Sequence, residues 1–238
     1  MHYSESEGFT LSKQELRALC EFASPDPTRA SMNQIYFEPS KGRIVATDGH
    51  CLVMVENASG AKPQPEFVVP LETLESFCKL LRQGQVLSAN GATDKACRDV
   101  RLSVFQEQVP ASARVQAVLN GSDPAEFPPY GHVIPLLDGM EPAAGAMAFN
   151  ARYLSRLALV QRATGTECVR CYFPGQARGA AVFRTVAAPK QGGAGWTVVI
   201  MPAVNEFKCY EPEHDEVWSA FQETARKSRR PASVRRIA

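Results

Sequence analysis

Ile44-Val45-Ala46-Thr47-Asp48-Gly49-His50-Cys51-Leu52 decides how this 238-residue chain is read. Ile44 to Thr47 reads as the end of a β-strand, Asp48 and Gly49 are turn residues, and Leu52-Val53-Met54-Val55 resumes the apolar run. Asp-Gly between two such runs is the strongest short-range signal for a hairpin. Two antiparallel strands are therefore expected at 43–47 and 51–56.

Outward from this hairpin, one plan recurs three times: a short strand, an amphipathic helix, then two or three strands. The first unit opens with Gly8-Phe9-Thr10-Leu11, and Ser12 with Glu15 forms the pattern of a capping box. Leu16, Leu19, Cys20 and Ala23 give the stripe of a one-sided helix, which Pro25 and Pro27 end. Strands at 33–38, 43–47 and 51–56 follow. The second unit opens with Glu66-Phe67-Val68-Val69-Pro70, and its helix, 71–82, carries Leu74, Phe77, Cys78 and Leu81 on one face. Strands are expected at 86–88, 99–105 and 113–118. Phe127-Pro128-Pro129-Tyr130 then reads as a rigid, extended connector.

Small residues and prolines over 136–146 mark a linker. The third unit has Ala148-Phe149 as its strand, Asn150 as N-cap, and a helix over 151–162 with Leu154, Leu157 and Ala158 apolar. Strands at 167–173, 180–186 and 196–201 close it, and a last helix is expected over 214–227, with Val217, Trp218 and Phe221 as its apolar strip. The fold class is α+β. A structural repeat and an unrelated domain that merely alternates elements both fit this order.

Composition narrows the function. Hydrophobic residues make up 45% and charged residues 21%, an ordinary balance for a globular protein. No apolar run approaches the ~20 residues that cross a bilayer, so no membrane partner is expected. The N-terminus lacks the basic and apolar regions of a signal peptide, and seven irregularly spaced cysteines suit reduced thiols in a cytoplasm. Net charge is +1, yet residues 226–236 are strongly basic (Arg226, Lys227, Arg229, Arg230, Arg235, Arg236). That tail reads either as a solvated end or as a phosphate-binding arm.

Nothing points to catalysis or to a cofactor. Asp48 and His50 lie around a turn with no nucleophile motif beside them. Cys168-Val169-Arg170-Cys171 has the spacing of a redox or zinc motif, but it lacks a second ligand pair and falls in a strand, where i and i+3 face opposite sides. No metal site is expected.

Four segments carry a family resemblance. The hairpin resembles the Ala-Thr-Asp-Gly-His-Arg-Leu segment of the bacterial DNA polymerase III β subunit, the sliding clamp. Phe127-Pro128-Pro129-Tyr130-Gly131-His132-Val133-Ile134-Pro135, Phe149-Asn150-Ala151-Arg152-Tyr153-Leu154 and Val198-Val199-Ile200-Met201-Pro202 resemble further clamp segments, in the same order. The resemblance implies a DNA-clamp fold of repeated β-α-β-β-β half-units, with helices on one face of antiparallel sheets. Residues 8–137 then correspond to a complete clamp domain, like the middle domain of a clamp. Residues 145–205 correspond to half of a last domain, and 206–238 to a C-terminal helix and basic tail.

By the same resemblance, a hydrophobic pocket for partner peptides would use Thr47, Gly49, His50, Leu52, Pro128, Val133, Asn150, Tyr153, Val199, Ile200, Met201 and Pro202. The peptides would be the clamp-binding motifs of polymerases or repair proteins. For each apolar member, ordinary core packing is the alternative. Cys51, His132 and Ala203-Val204 depart from the family's pattern of arginine, arginine and Met-Arg. Basic side chains on the inner helices would touch double-stranded DNA without reading sequence: Lys13, Arg17, Lys79, Arg82, Arg152, Arg156 and Arg162. A solvated helix face is the plain alternative for each.

The expected function is that of a non-catalytic processivity or docking factor in DNA replication or repair. A non-encircling module that acts as decoy or regulator of a clamp or its partners is the alternative. A homodimer or higher homo-oligomer is expected, since two copies could complete a domain by pairing their third units. The helix at 214–227 either folds over the pocket or packs elsewhere.

Overall fold

The computed structural model describes residues 8–56, 64–92, 99–106, 115–121, 123–135, 149–166, 168–173, 179–186 and 195–203. The linker at 136–146, the helix expected at 214–227 and the basic tail lie outside the described residues. Residues 1–202 cohere as one unit and 203–238 as another.

The first unit is β1 (Phe9–Ser12), α1 (Lys13–Phe22), β2 (Gln34–Glu38), β3 (Arg43–Thr47) and β4 (Cys51–Glu56). The second is β5 (Phe67–Pro70), α2 (Leu71–Leu80), β6 (Gln85–Gly91), β7 (Asp99–Gln106) and β8 (Val115–Asn120). The third is α3 (Ala151–Ser155), α4 (Leu157–Thr164), β9 (Val169–Tyr172), β10 (Ala181–Thr185) and β11 (Gly195–Ile200). Among the described residues every strand pairing is antiparallel.

The strands form two sheets, in the orders β1-β6-β7-β8 and β5-β2-β3-β4-β11-β10-β9. The first two units exchange their opening strands: β1 pairs with β6 of the second unit, and β5 pairs with β2 of the first. The third unit joins the sheet of the first through β4 and β11, whose ladder runs from Gly195↔Glu56 to Ile200↔Cys51. The strand expected at Ala148-Phe149 falls only partly among the described residues. Phe149 lies outside any strand, and Ala148 lies outside the described residues.

The capping box at Ser12 forms as the sequence implies. Ser12 Oγ accepts from Glu15 N at 3.2 Å, and Glu15 Oε2 accepts from Ser12 N at 2.8 Å. α1 buries Leu16, Leu19 and Phe22, while Lys13 Nζ donates to Leu81 O just past α2 at 2.8 Å, tying the two helices together. The third helix departs from expectation. It is two segments that meet at Arg156 (φ −64°, ψ −24°), and its buried side chains are Arg156 and Val160, with Leu154 37% exposed and Ala158 exposed. The face is turned away from the Leu154, Leu157, Ala158 stripe because an arginine occupies an inward position.

Strand alternation divides the apolar residues into two layers. One face of the seven-stranded sheet, with Ile44, Val53, Val55, Val198 and Ile200, belongs to the large core that includes α1, α2 and α4. The other, with Tyr36, Val45, Leu52, Met54, Val182 and Val199, is covered by the connector through Phe127, Tyr130 and Ile134. The connector is not extended throughout: it makes short 3-10 turns at Pro124–Glu126 and Tyr130–His132. Tyr36 stacks on Phe127 at 5.0 Å, and Tyr130 donates to Glu38 Oε2 at 2.5 Å, which anchors this segment to the sheet.

Candidate functional site

The hairpin after β3 is built by its own side chains. Thr47 pairs with Leu52, and Asp48 Oδ1 accepts from His50 N at 2.9 Å and Cys51 N at 2.8 Å. Thr47 Oγ1 donates to Cys51 O at 2.9 Å and accepts from Gly49 N at 3.1 Å. Gly49 has a φ of +89°, which a side chain would strain, so glycine is required there.

This turn meets the third unit. Asp48 Oδ2 accepts from Arg156 Nη1 at 2.7 Å, with both side chains largely buried. The Arg156 guanidinium lies 5.0 Å from the centre of the Tyr153 ring and 5.5 Å from that of Phe22, so it is held by two rings as well as by the carboxylate. Arg29 Nη1 donates to Asp48 O at 3.1 Å from the other side. The His50 ring stacks on Tyr153, with centroids 6.0 Å apart and planes at 18°, and Met201 N donates to His50 O at 2.9 Å. The Thr47 turn, Tyr153 and Met201 thus lie on one surface, brought together by the β4–β11 pairing.

Burial dominates the electrostatics of the junction. Burial pushes the Cys51 thiol up to about 12; Arg156 opposes the rise and Asp48 adds to it. A thiol held protonated is a poor nucleophile. Burial, and then the Asp48 charge, raise the Tyr153 hydroxyl. The Asp48 carboxylate is committed to Arg156 and to the turn. Among the described residues, no group of three or more His, Cys, Asp or Glu could hold a metal ion. No helix among them is long and apolar enough to cross a membrane.

The residues expected to form a pocket do not all share one surface. Gly49, His50, Val133 and Met201 are exposed, and Pro128, Asn150, Tyr153 and Pro202 are half-buried. Asn150 is partly committed, since its Oδ1 accepts from Arg152 N at 2.9 Å as a helix cap. Leu52 and Val199 are cross-strand neighbours on the connector face, buried beside Phe127. Ile200 is a correction. Adjacent to Val199 in β11, it points to the opposite face and is 0% exposed in the helix-side core, so it cannot line a cleft with Val199.

Sequence reasoning missed a cleft of about 140 Å³ lined by Met54, Glu56, Ile134, Val182, Arg184 and Thr197. Glu56 sits between two arginines there, 3.0 Å from Arg43 and 3.1 Å from Arg184. Alternation from Leu52 places Met54 and Glu56 on the same face, so part of this lining was readable in β4.

The basic candidates also separate. Lys13, Arg17, Lys79, Arg82, Arg152 and Arg162 are exposed, although Lys13 is engaged with Leu81 O. Arg156 is a second correction: at 6% exposure, with its charge paired to Asp48, it cannot reach a phosphate. Its position four residues after Arg152 resembles a solvated face in sequence; only the aspartate from the distant hairpin shows otherwise.

No family model matches the chain, and no curated protein matches it significantly. Solved structures do. The DNA polymerase III β subunit of Thermotoga maritima matches at 16% identity and a TM-score of 0.56, over 86% of this chain and 67% of that one. The β subunit of Borrelia burgdorferi, solved in complex with a natural product, matches at 13% and 0.57, over 86% and 64%. The sliding clamp of Pseudomonas aeruginosa, solved bound to griselimycin, matches at 17% and 0.54, over 85% and 67%. The chain spans about two thirds of the length of these clamps, and it has their fold: α+β, with antiparallel sheets backed by helices.

Proposed function

We propose that this protein is a non-catalytic, clamp-like docking or processivity factor of DNA replication or repair, acting in the cytoplasm. The observation that carries this reading is the junction of the Thr47 turn, Tyr153 and Met201. It offers a peptide an exposed imidazole stacked on a tyrosine ring, a half-exposed methionine and exposed backbone at Gly49. Such a surface suits short linear motifs, because methionine and aromatic walls adapt to varied side chains. The outer wall would come from Pro128, Val133 and Pro202. The exposed cations of α1, α2, α3 and α4 would meet DNA phosphates without base readout.

A clamp-binding peptide from a polymerase, labelled and titrated with the protein, tests the reading. Binding that is lost in Tyr153→Ala and Met201→Ala supports it; binding unchanged in both removes the site. A second reading, a module that acts on clamp partners without encircling DNA, is favoured by the unmatched third unit. Retention on nicked circular DNA, released by linearising it, separates the two readings.

A further inference from the structure

Three arginines share one face of the seven-stranded sheet with a single carboxylate, Glu56. Alternation from Leu52 and Met54 puts Glu56 on the connector face, with Arg43 opposite it in β3. Alternation from Val182 and Tyr172 puts Arg184 and Arg170 on the same face, directly opposite each other in β10 and β9. Glu56 spends both oxygens on Arg43 and Arg184, at 3.0 and 3.1 Å. The next carboxylate, Glu38, is taken up by Lys41 and Tyr130. Arg170 reaches the Tyr172 hydroxyl at 3.5 Å, and no carboxylate among the described residues neutralises it. Like charges placed opposite each other in a ladder destabilise it. This face is short of negative charge.

The same residues border the cleft of about 140 Å³ walled by Met54, Ile134 and Val182. Thr197 of β11 lies across from both Met54 and Arg184 and completes the lining. Size selects the occupant. A cavity of about 150 Å³ holds one benzene ring, whereas whole small-molecule ligands take roughly 300–1,000 Å³. One aliphatic or aromatic side chain therefore fits, and a nucleotide or cofactor does not. The Arg184 side chain is 43% exposed at the rim, and Glu56 engages one of its nitrogens. Further N–H groups of that guanidinium are left for a carboxylate from solution.

We propose that this cleft binds an acidic linear peptide of a protein partner. An apolar side chain of the peptide sits among Met54, Ile134 and Val182. A carboxylate two positions away meets Arg184 and Arg170, because residues i and i+2 of an extended peptide face the same way, roughly 7 Å apart. The incoming charge relieves the repulsion between the two arginines, so apolar burial and charge pairing act together. The site is separate from the junction at Tyr153 and Met201. Thr197 lies four residues ahead of Met201, roughly 13 Å along a strand. A phosphate backbone suits the cleft less well, since its apolar walls offer phosphate no hydrogen bond.

Fluorescence anisotropy of the full chain with a labelled peptide pool tests the proposal. The pool keeps Asp-x-Leu-x-Asp fixed and mixes all other positions, so either chain direction is covered. Saturable binding is expected, weakened roughly tenfold or more when asparagine replaces both aspartates or serine replaces the leucine. Arg184→Gln and Ile134→Ala should each weaken it to a similar degree, with circular dichroism unchanged. Tyr153→Ala should leave it as it was, which keeps this site apart from the junction. Absent binding, or equal binding of the aspartate and asparagine pools, overturns the proposal. So does an Arg184→Gln variant that binds the pool as the wild type does. Isocaproate bound as tightly as the pool would assign the cleft to a small free acid, and duplex DNA held through Arg184 would make it a phosphate site. Either result overturns the proposal as well.

Discussion

Asp48 and Arg156 stand 108 positions apart in the chain and meet at 2.7 Å in its interior. The carboxylate comes from a turn that it also folds, and the arginine comes from the joint between two helical segments. This ion pair therefore adds to the β4–β11 ladder in holding the third unit on the first.

Breaking that pair from one side leaves the other charge buried and uncompensated. Arg156→Leu or Asp48→Ala should each destabilise the protein by about 3–5 kcal/mol, read from urea unfolding midpoints at constant m-value. The double variant should cost less than the sum of the two. A loss under about 1 kcal/mol in either single variant would mean that water reaches the pair.

Alkaline pH should weaken the fold in a defined window. The Cys51 thiol is pushed from an ordinary value of 9.0 up to about 12, and Tyr130, mainly through burial and then its bond to Glu38, from 10.0 to about 12. A native pKa above the unfolded one means that the native state holds the proton longer. Stability is then full below pH 9 and falls as pH rises toward 12, by at most about 1.4 kcal/mol per group per pH unit. In Cys51→Ala the decline should still begin near pH 9, because burial raises the Cys20 thiol as well, but it should be shallower. An identical profile in wild type and variant would remove Cys51 from the account.

Thiol labelling of the native protein should follow exposure. Cys168 and Cys171 are exposed and should react readily with a maleimide at neutral pH. Cys51 is 2% exposed and should react only on the timescale of opening. Peptide mapping by mass spectrometry distinguishes them, and fast labelling of Cys51 would contradict the closed junction.

If the helices meet DNA, affinity for a duplex should fall steeply with salt. Neutralising Arg17 and Lys79 together should lower the slope of log K against log salt by roughly 0.9 for each phosphate that the variant no longer neutralises. Arg156→Gln should leave that slope unchanged, because the side chain is inside. Fluorescence anisotropy at several salt concentrations gives both numbers.

Much of this was legible in local sequence. The Asp48-Gly49 hairpin and the Ser12–Glu15 capping box depend on residues within a few positions of each other, and both form as read. What failed depended on distant partners. Arg156 passes for a surface residue until Asp48 is placed beside it. Ile200 is a different case: alternation along β11 alone separates it from Val199. The cleft at Met54 and Ile134 joins a strand to a connector, a meeting set by tertiary packing.

The pairing of β4 with β11 has a consequence for biosynthesis. β4 is translated well before the strand that covers its edge, residues 195–200. Until then a nascent chain carries a bare apolar ladder on the ribosome, the kind of surface that holdase chaperones grip and that neighbouring polypeptides stick to. Stalled or truncated translation products ending before residue 195 should thus be insoluble, even though they contain the whole of the first two units.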